Sequence, residues 1–259
     1  MQNNRWVIGV LGVTAGVIMP AHAQDFTVSA GVEYTTGDYG GDSETDVLYV
    51  PLSLGVETDD WLIRVSLPWL SLSGPGVFLG EDLPLVRDTR APNRAPNDDV
   101  SGFGDLSMTV GRGFDLDANG NWRVDVTGRV KFATADEGDG LSTGEMDYSL
   151  ALDLTRNIGD WSVFGGGGYR INGDPDGRAL NDTAFASIGA SYYMQSGTSW
   201  GTALDFSQAA TAGTDDALEA SSWVSLRLNE STRLMAYGLA GLSSGGPDYG
   251  GGLRLAVRL

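Results

Sequence analysis

The feature that most constrains the fold is an alternation of apolar and polar residues with a period of two, which recurs from residue 25 to the end of the chain. It is clearest over residues 122–132, where apolar residues and a glycine take the even positions and Arg, Asp, Thr and Lys take the odd ones. Successive side chains of a β-strand point to opposite faces, so this pattern predicts a strand with one apolar and one charged face. In a soluble sandwich the apolar face would be buried. In an outer-membrane barrel it meets lipid, and the charged face lines the lumen.

Segments of this kind follow one another along the chain, separated by residues typical of turns. The predicted strands are residues 25–37, 46–56, 61–72, 102–114, 121–133, 145–155, 161–171, 183–194, 199–208, 218–228, 233–242 and 249–259. Connections after even-numbered strands are short, and those after odd-numbered strands are longer and rich in Gly and Asp, as in the periplasmic turns and extracellular loops of outer-membrane proteins. We therefore predict an all-β fold, a closed antiparallel transmembrane β-barrel of about 12 strands.

Aromatic residues bracket five of the odd-numbered segments, and the two members of each pair have the same parity. The pairs are Phe26 and Tyr34, Trp61 and Trp69, Trp122 and Phe132, Trp161 and Tyr169, and Trp200 and Phe206. About eight residues of a tilted strand climb roughly 20 Å, close to the ~25 Å apolar band between the aromatic girdles of a membrane barrel. In a sandwich the aromatic residues would cluster in mid-strand, so the spacing favours the membrane barrel.

The N-terminal segment predicts a secretory signal peptide. Arg5 precedes an apolar run, and Ala21-His22-Ala23 is a small-x-small cleavage motif. The apolar run is short for a spanning helix, which needs about 20 residues. The predicted organisation is a signal peptide over residues 1–23 and an outer-membrane barrel over residues 24–259. The expected partners are outer-membrane lipid, lipopolysaccharide and the barrel-insertion machinery, which would recognise the apolar C-terminal residue Leu259.

Composition excludes several kinds of chemistry. The chain has no cysteine, and its one histidine, His22, would leave with the signal peptide, which removes disulfides, thiolate metal sites and catalysis that needs His or Cys. A net charge of −18 without a basic stripe argues against a nucleic-acid partner. We expect no catalytic residue, no metal site and no cofactor. A barrel enzyme with a Ser–Lys pair built on Lys131 is the one catalytic alternative.

The inward rows carry cations and acids in similar number. The predicted pore-lining residues are Arg64, Asp105, Arg123, Asp125, Arg129, Lys131, Asp147, Asp153, Arg170, Asp205, Glu219, Arg227, Arg254 and Arg258, together with Glu33. They form either a water-filled pore with a transverse field or a closed network of ion pairs that fills the lumen. Four inward aromatic residues are expected to narrow the bore: Phe164, Phe185, Tyr193 and Trp223.

Two kinds of loop add further candidates. The long connection 73–101 carries Val77, Phe78, Leu79, Leu83 and Leu85, and it either forms a constriction on the solute path or caps the barrel rim. Acidic residues cluster in other loops, namely Asp42, Glu44 and Asp46, then Asp136, Glu137 and Asp139, then Asp174 and Asp176. Their spacing matches no EF-hand, so they either bind divalent cations, alone or shared with lipopolysaccharide, or stay solvated.

Four Gly-rich segments carry a family resemblance: SGFGDL at 101–106, DGLSTGEMDYSLAL at 139–152, GGYRINGDP at 167–175 and GLSSGGPDYGGGLRL at 241–255. They resemble the outer-membrane proteins described as transporters of the phenol-degradation meta-pathway. The resemblance implies a twelve-stranded barrel that passes small, often aromatic or apolar, compounds. The leading hypothesis is a channel for passive passage of small organic solutes. The alternatives are a non-conducting barrel plugged by side chains and a barrel enzyme.

Overall fold

A computed structural model describes residues 25–41, 43–74, 76–77, 86–87, 99–175, 177 and 179–259, with only the backbone described at 76–77 and 86–87. The predicted signal peptide lies outside the described residues. The strands are β1 Asp25–Gly37, β2 Thr45–Glu57, β3 Trp61–Ser73, β4 in two parts Val100–Phe103 and Ser107–Asp115, β5 Trp122–Lys131, β6 Asp147–Ile158, β7 Trp161–Ile171, β8 Thr183–Tyr193, β9 Ser199–Ser207, β10 Ala217–Arg227, β11 Thr232–Gly241 and β12 Tyr249–Arg258. A separate two-stranded sheet pairs Gly76–Val77 with Val86–Arg87.

The strands form one closed antiparallel barrel. Each strand pairs with its neighbours in the chain, β2 pairs with β3, and β12 pairs with β1 through a register that sets Thr27 opposite Arg258. The sheet has 13 hydrogen-bonded segments, two of which are the halves of β4. Among the described strands, closure leaves the barrel sheet without a free edge, as a barrel in lipid requires. The predicted closed barrel of about 12 strands is confirmed.

The outward face of the barrel is apolar and exposed. Leu54, Leu150 and Ile188 are 60 to 61% exposed, and the aromatic residues of the predicted girdles, such as Phe26 and Tyr169, also point outward. The inward positions between them are mostly polar and largely buried. This polarity is the reverse of a soluble protein, because the apolar face is solvated by lipid. An apolar surface of this extent exposed to water would drive association.

The two ends of the barrel differ. The β2–β3, β4–β5, β6–β7, β8–β9 and β10–β11 connections are short and lie at the end that also holds Asp25 and Leu259. The other connections are longer. We call the end with short turns periplasmic and the end with long loops extracellular, following the arrangement of outer-membrane barrels.

The fourth strand departs from the prediction. The sequence predicts one strand over 102–114, whereas β4 is interrupted at residues 104–106. There the Gly104 N–H still donates to the Pro68 carbonyl at 2.9 Å, and the Leu106 carbonyl accepts from Phe132 N–H at 2.8 Å. The interruption turns Asp105 toward a loop that it binds. The predicted strand at 145–155 also begins later, at Asp147, because residues before it belong to that loop.

Candidate functional site

The inward wall is the candidate functional site, because it holds the charged residues of nearly every strand. The structure places on it Arg64, Asp105, Arg123, Asp125, Arg129, Lys131, Asp147, Asp153, Arg170, Asp205, Glu219, Arg227, Arg254 and Arg258, and also Glu33. The buried members lie on β4–β7, and most of the half-buried ones lie on β9–β12 and β1. The charged side chains on β4–β7 are therefore less exposed to solvent than those on β9–β12 and β1.

A buried ion-pair cluster lies at the extracellular end of β5. Lys131 Nζ is 2.9 Å from Asp147 Oδ2 and 3.3 Å from Asp105 Oδ2, and it donates to Thr143 Oγ1 at 3.2 Å. All three charged side chains are buried. Two carboxylates and a hydroxyl around one ammonium satisfy all three of its donors. The cluster joins β4, β5, β6 and the β5–β6 loop into one unit.

The β5–β6 loop, residues 132–146, folds into the extracellular mouth. The Asp105 carboxylate accepts from Thr134 N–H and Ala135 N–H, both at 2.9 Å, and from Ser142 Oγ at 2.5 Å. Ser142 is buried, as is Leu141 beside it. Neither interpretation of the acidic residues in this loop, cation binding or solvation, predicts that its second half is buried, which follows from the hydrogen bonds to Asp105 in the β4 interruption.

Leu141 completes an apolar cluster in the mouth. It packs with the inward residues Val47 and Tyr49 of β2 and with Leu70 and Leu72 of β3. Tyr39 of the β1–β2 loop joins the cluster, and its hydroxyl donates to Thr35 Oγ1 at 2.9 Å. Burial raises the pKa of the Tyr39 hydroxyl, so it stays neutral. The cluster closes the β2–β3 side of the extracellular mouth.

Acidic residues face the lumen on the other side. Asp205 of β9 and Glu219 of β10 are directly opposite each other in the strand pairing. Ser221 Oγ donates to Asp205 Oδ2 at 3.3 Å, and Glu33 of β1 accepts a hydrogen bond from the Tyr237 hydroxyl. These acids are half-buried and form an electronegative surface near the extracellular end.

Arginines occupy the periplasmic end of the same side. Arg233 donates to the Gly197 carbonyl at 3.2 Å and Arg227 to the Asn229 carbonyl at 3.3 Å. Arg258 is 3.4 Å from Asp25 Oδ2. Within the described part of the chain, no carboxylate lies within ion-pair distance of Arg227, Arg233 or Arg254. Most of the positive charge at this end is therefore not neutralised by ion pairs.

The inward aromatic residues lie against the wall rather than across the bore. A Cβ on Gly189 would meet Phe164 at 2.4 Å, and one on Gly201 would meet Trp223 at 2.3 Å, so each ring occupies the space that a glycine leaves. Phe185 packs in the same way against a glycine of β7. Phe164 and Trp223 approach to 6.3 Å between ring centroids. Three of the four inward aromatic rings are thus accommodated on the wall by a glycine of the neighbouring strand.

Some functional residues are not among those predicted. Arg233 and Tyr237 face inward, as Met235 between them does. Their alternation with Leu234 and Ala236 is the sequence signal that predicts an inward position for both. Leu141 and Ser142 carry no such signal, because their burial depends on residues of distant strands.

Other candidates lie outside the described residues. They are Phe78, Leu79, Leu83 and Leu85 of the long loop, and Asp42 and Asp176 of the acidic loops. Of Val77 only the backbone is described, paired with Val86.

Carboxylates of the acidic loops mostly bind their own surroundings. Asp46 accepts from the Tyr34 hydroxyl at 2.6 Å, Glu44 from Thr36 Oγ1 at 2.8 Å, and Asp174 from Leu180 N–H at 2.8 Å. Among the described residues, no group of three or more His, Cys, Asp or Glu side chains could hold a metal ion. None of the described segments is a helix long and apolar enough to cross a membrane.

No family model and no curated protein matches the chain. Solved structures do. An outer-membrane channel from Pseudomonas putida F1 matches with a TM-score of 0.71 at 18% identity, over 93% of this chain and 97% of that one. The translocator domain of the autotransporter NalP from Neisseria meningitidis gives 0.52 at 12% identity, over 95% and 92% of the two chains. The NanC porin gives 0.51 at 12% identity, over 89% and 98%.

The chain has the fold of an outer-membrane β-barrel. At these identities the likeness concerns the fold. An outer-membrane β-barrel with an apolar outward face is solvated by lipid around its girth, so the protein belongs in the bacterial outer membrane.

Proposed function

We propose that the protein is a passive channel for small organic solutes across the outer membrane. The observation that carries this proposal is the half-buried, incompletely neutralised charge on the inward face of β9–β12 and β1, with Arg254 as the clearest case. Charges that were sealed inside a plugged lumen would need partners, because an unpaired buried charge costs several kcal/mol, on the order of 3–5. In an open pore, water solvates these charges, and they need no partner.

The distribution of charge supports passage of polar or charged solutes. On the β9–β12 side, acids such as Asp205 and Glu219 lie above arginines such as Arg227 and Arg233. On the opposite side, Lys131 lies above Asp125 and Asp153. Lys131 is paired with Asp105 and Asp147, so the unbalanced charge lies on the β9–β12 side, where acids above arginines produce a field that orients a charged or dipolar solute.

One set of observations favours the alternative of a non-conducting barrel. The Lys131 cluster and the apolar cluster around Leu141 close part of the extracellular mouth, and Arg123 forms ion pairs at the periplasmic end. The catalytic alternative has less support, because the Lys131 ammonium that a Ser–Lys pair would use is held by Asp105 and Asp147.

Planar bilayer recording tests the proposal. The purified barrel should carry single-channel current, and Arg254→Gln should shift its ion selectivity toward cations, measured as the reversal potential in a salt gradient. The matched control is Arg112→Gln, since Arg112 points outward, 4.9 Å from the Trp61 ring centroid, and should leave selectivity unchanged. If the wild-type protein carries no current at any voltage, the barrel is plugged.

We propose further that aromatic or apolar solutes are among those that pass, and that the 73–101 loop contacts them through Val77, Phe78, Leu79, Leu83 and Leu85. Six large apolar residues between 77 and 86 support this, in a chain whose other loops are polar. Deleting residues 77–85 should lower uptake of an aromatic test solute and raise conductance of small ions. If both stay unchanged, the loop is a cap.

A further inference from the structure

Four arginines form a contiguous patch on the inward face of β10–β12 at the periplasmic end of the lumen. Arg227 of β10 and Arg233 of β11 are direct partners in the strand pairing. On its other side Arg233 pairs with Ala256 of β12, and the inward residues before and after Ala256 are Arg254 and Arg258. Like charges directly opposite on one face of a sheet repel each other, and diagonal neighbours stay within reach of long side chains. This arginine patch therefore concentrates positive charge around Arg233.

The described residues balance little of that charge. Arg258 is 3.4 Å from Asp25 Oδ2, but no described carboxylate lies within ion-pair distance of Arg227, Arg233 or Arg254. Arg227 and Arg258 are both close enough to Arg233 to repel its guanidinium. The arginine patch thus has an excess of positive charge that a bound anion would offset.

Water is a poor substitute for an anion at Arg233. This residue is 9% exposed, whereas Arg227 and Arg254 are half-buried. Its guanidinium has several N–H donors, and within the described structure it donates to one acceptor, the Gly197 carbonyl at 3.2 Å. Burial removes the water that would solvate a charge, so a buried cation needs a partner of opposite sign. Water in the lumen reaches the half-buried arginines but little of Arg233.

Two hydroxyl groups beside the arginine patch also lack partners. Ser225 is the next inward residue of β10 before Arg227, and Tyr193 of β8 lies at the level of Ser225 two strands away. Both hydroxyl oxygens are buried without a hydrogen bond in the described structure. Tyr193 is close enough to Arg233 for an electrostatic interaction. Orphaned buried polar groups are rare in folded proteins. These two lie on the same side of the Arg227 and Arg233 pair, and both can donate to an anion held there.

We propose that the arginine patch binds the carboxylate of a small organic solute, held between Arg227 and Arg233 with the hydroxyls of Tyr193 and Ser225 as further donors. A guanidinium presents a planar pair of N–H groups that matches the two oxygens of a carboxylate. The proposal names organic anions as a substrate class and rests on the proposed channel for the route by which they reach the site. Binding should weaken as salt is added, because ions screen partly exposed charges.

Binding can be tested without conduction by saturation-transfer difference NMR on the purified barrel in deuterated detergent at low salt. Propionate should give a saturable signal, and propionamide, its neutral counterpart, should give little. Arg227→Gln should weaken propionate binding by about tenfold, because a hydrogen bond to a charged group is lost. Tyr193→Phe should weaken it by a smaller factor, since it removes one neutral donor. Heat-modifiable gel mobility shows that each variant is folded.

The matched control is Arg156→Gln, which removes the same charge from the outward face at the periplasmic end, where Arg156 lies 4.7 Å from the Trp122 ring centroid. It should bind propionate as the wild type does. Unchanged binding in Arg227→Gln would overturn the proposal, and so would tighter binding of inorganic phosphate than of propionate. A wild type that binds propionate but carries no current in planar bilayers would support the anion site and contradict only the channel function.

Discussion

At the scale of single residues, two cations of the lumen wall differ in what surrounds them. Lys131 is buried between Asp105 and Asp147, whereas Arg254 is half-buried and has no carboxylate partner among the described residues. Removing one member of a buried ion pair leaves the others uncompensated, while a group that water solvates can be neutralised at little cost. Neutralising Lys131 should therefore lower the stability of the barrel, whereas neutralising Arg254 should change conduction with little effect on stability.

We expect Lys131→Met to destabilise the barrel by about 3–5 kcal/mol, because it leaves the buried carboxylates of Asp105 and Asp147 without a cation. The midpoint of heat-induced loss of the compact gel band in detergent measures this. Adding Asp147→Asn should recover part of the loss, and Arg254→Gln should change the midpoint little. An unchanged midpoint in Lys131→Met would mean that the ion-pair cluster does not hold the mouth together.

Strand parity alone predicts which charged residues face inward, and the structure places Arg123, Asp125 and Lys131 on that face. It does not predict which of them pair. Asp105 meets Ser142 across 37 residues of sequence, and their contact depends on an interruption in β4 that no local pattern marks. The position of Tyr193 and Ser225 beside the arginine patch likewise becomes visible only when the strand register is known.

At the scale of elements, the β5–β6 loop acts as part of the barrel interior. Its Leu141 packs among inward residues of β2 and β3, and a Cβ on Gly102 of β4 would lie 2.7 Å from the Leu141 side chain. Its polar groups bind Asp105 at the same time. The loop therefore covers part of the extracellular mouth.

Leu141→Ala should loosen this cover and raise single-channel conductance. The truncation removes a buried side chain from the apolar cluster, at a cost of about 2–5 kcal/mol, so the loop should leave the mouth more often. Planar bilayers measure the conductance, and protease sensitivity of the loop reports its release. Leu150→Ala, on the lipid-facing side of β6, is the control and should change neither. Higher protease sensitivity with unchanged conductance would show that the loop lies off the solute path.

Element boundaries were more predictable than element contacts. The period of two predicts β1 and β7 with their observed ends; the predicted cleavage site sets the start of β1, and turn residues mark its end and both ends of β7. The alternation does not predict the interruption of β4 or the later start of β6, since both follow from loop contacts that override local alternation. The alternation of polar and apolar residues predicts where a barrel strand runs, whereas an interruption of the strand depends on the loop residues that bind there.

At the scale of the whole molecule, the barrel has a direction. The short turns and the paired β1 and β12 ends lie together, and the longer, acidic loops lie at the opposite end. Alternating connection lengths predict this asymmetry from the sequence. The register that closes β12 on β1 cannot be predicted that way, because it joins residues more than two hundred positions apart, as in the contact of Arg258 with Asp25.

The absence of cysteine makes the orientation directly testable, because any introduced thiol is the only one in the chain. Ala212, in the β9–β10 loop, and Glu230, in the β10–β11 turn, are both exposed. A membrane-impermeant maleimide should label Ala212→Cys on intact cells and should label Glu230→Cys only after the outer membrane is permeabilised. Equal labelling after permeabilisation controls for reactivity. If Glu230→Cys reacts on intact cells and Ala212→Cys does not, the barrel is inserted in the opposite direction, and the mouth narrowed by Leu141 faces the periplasm.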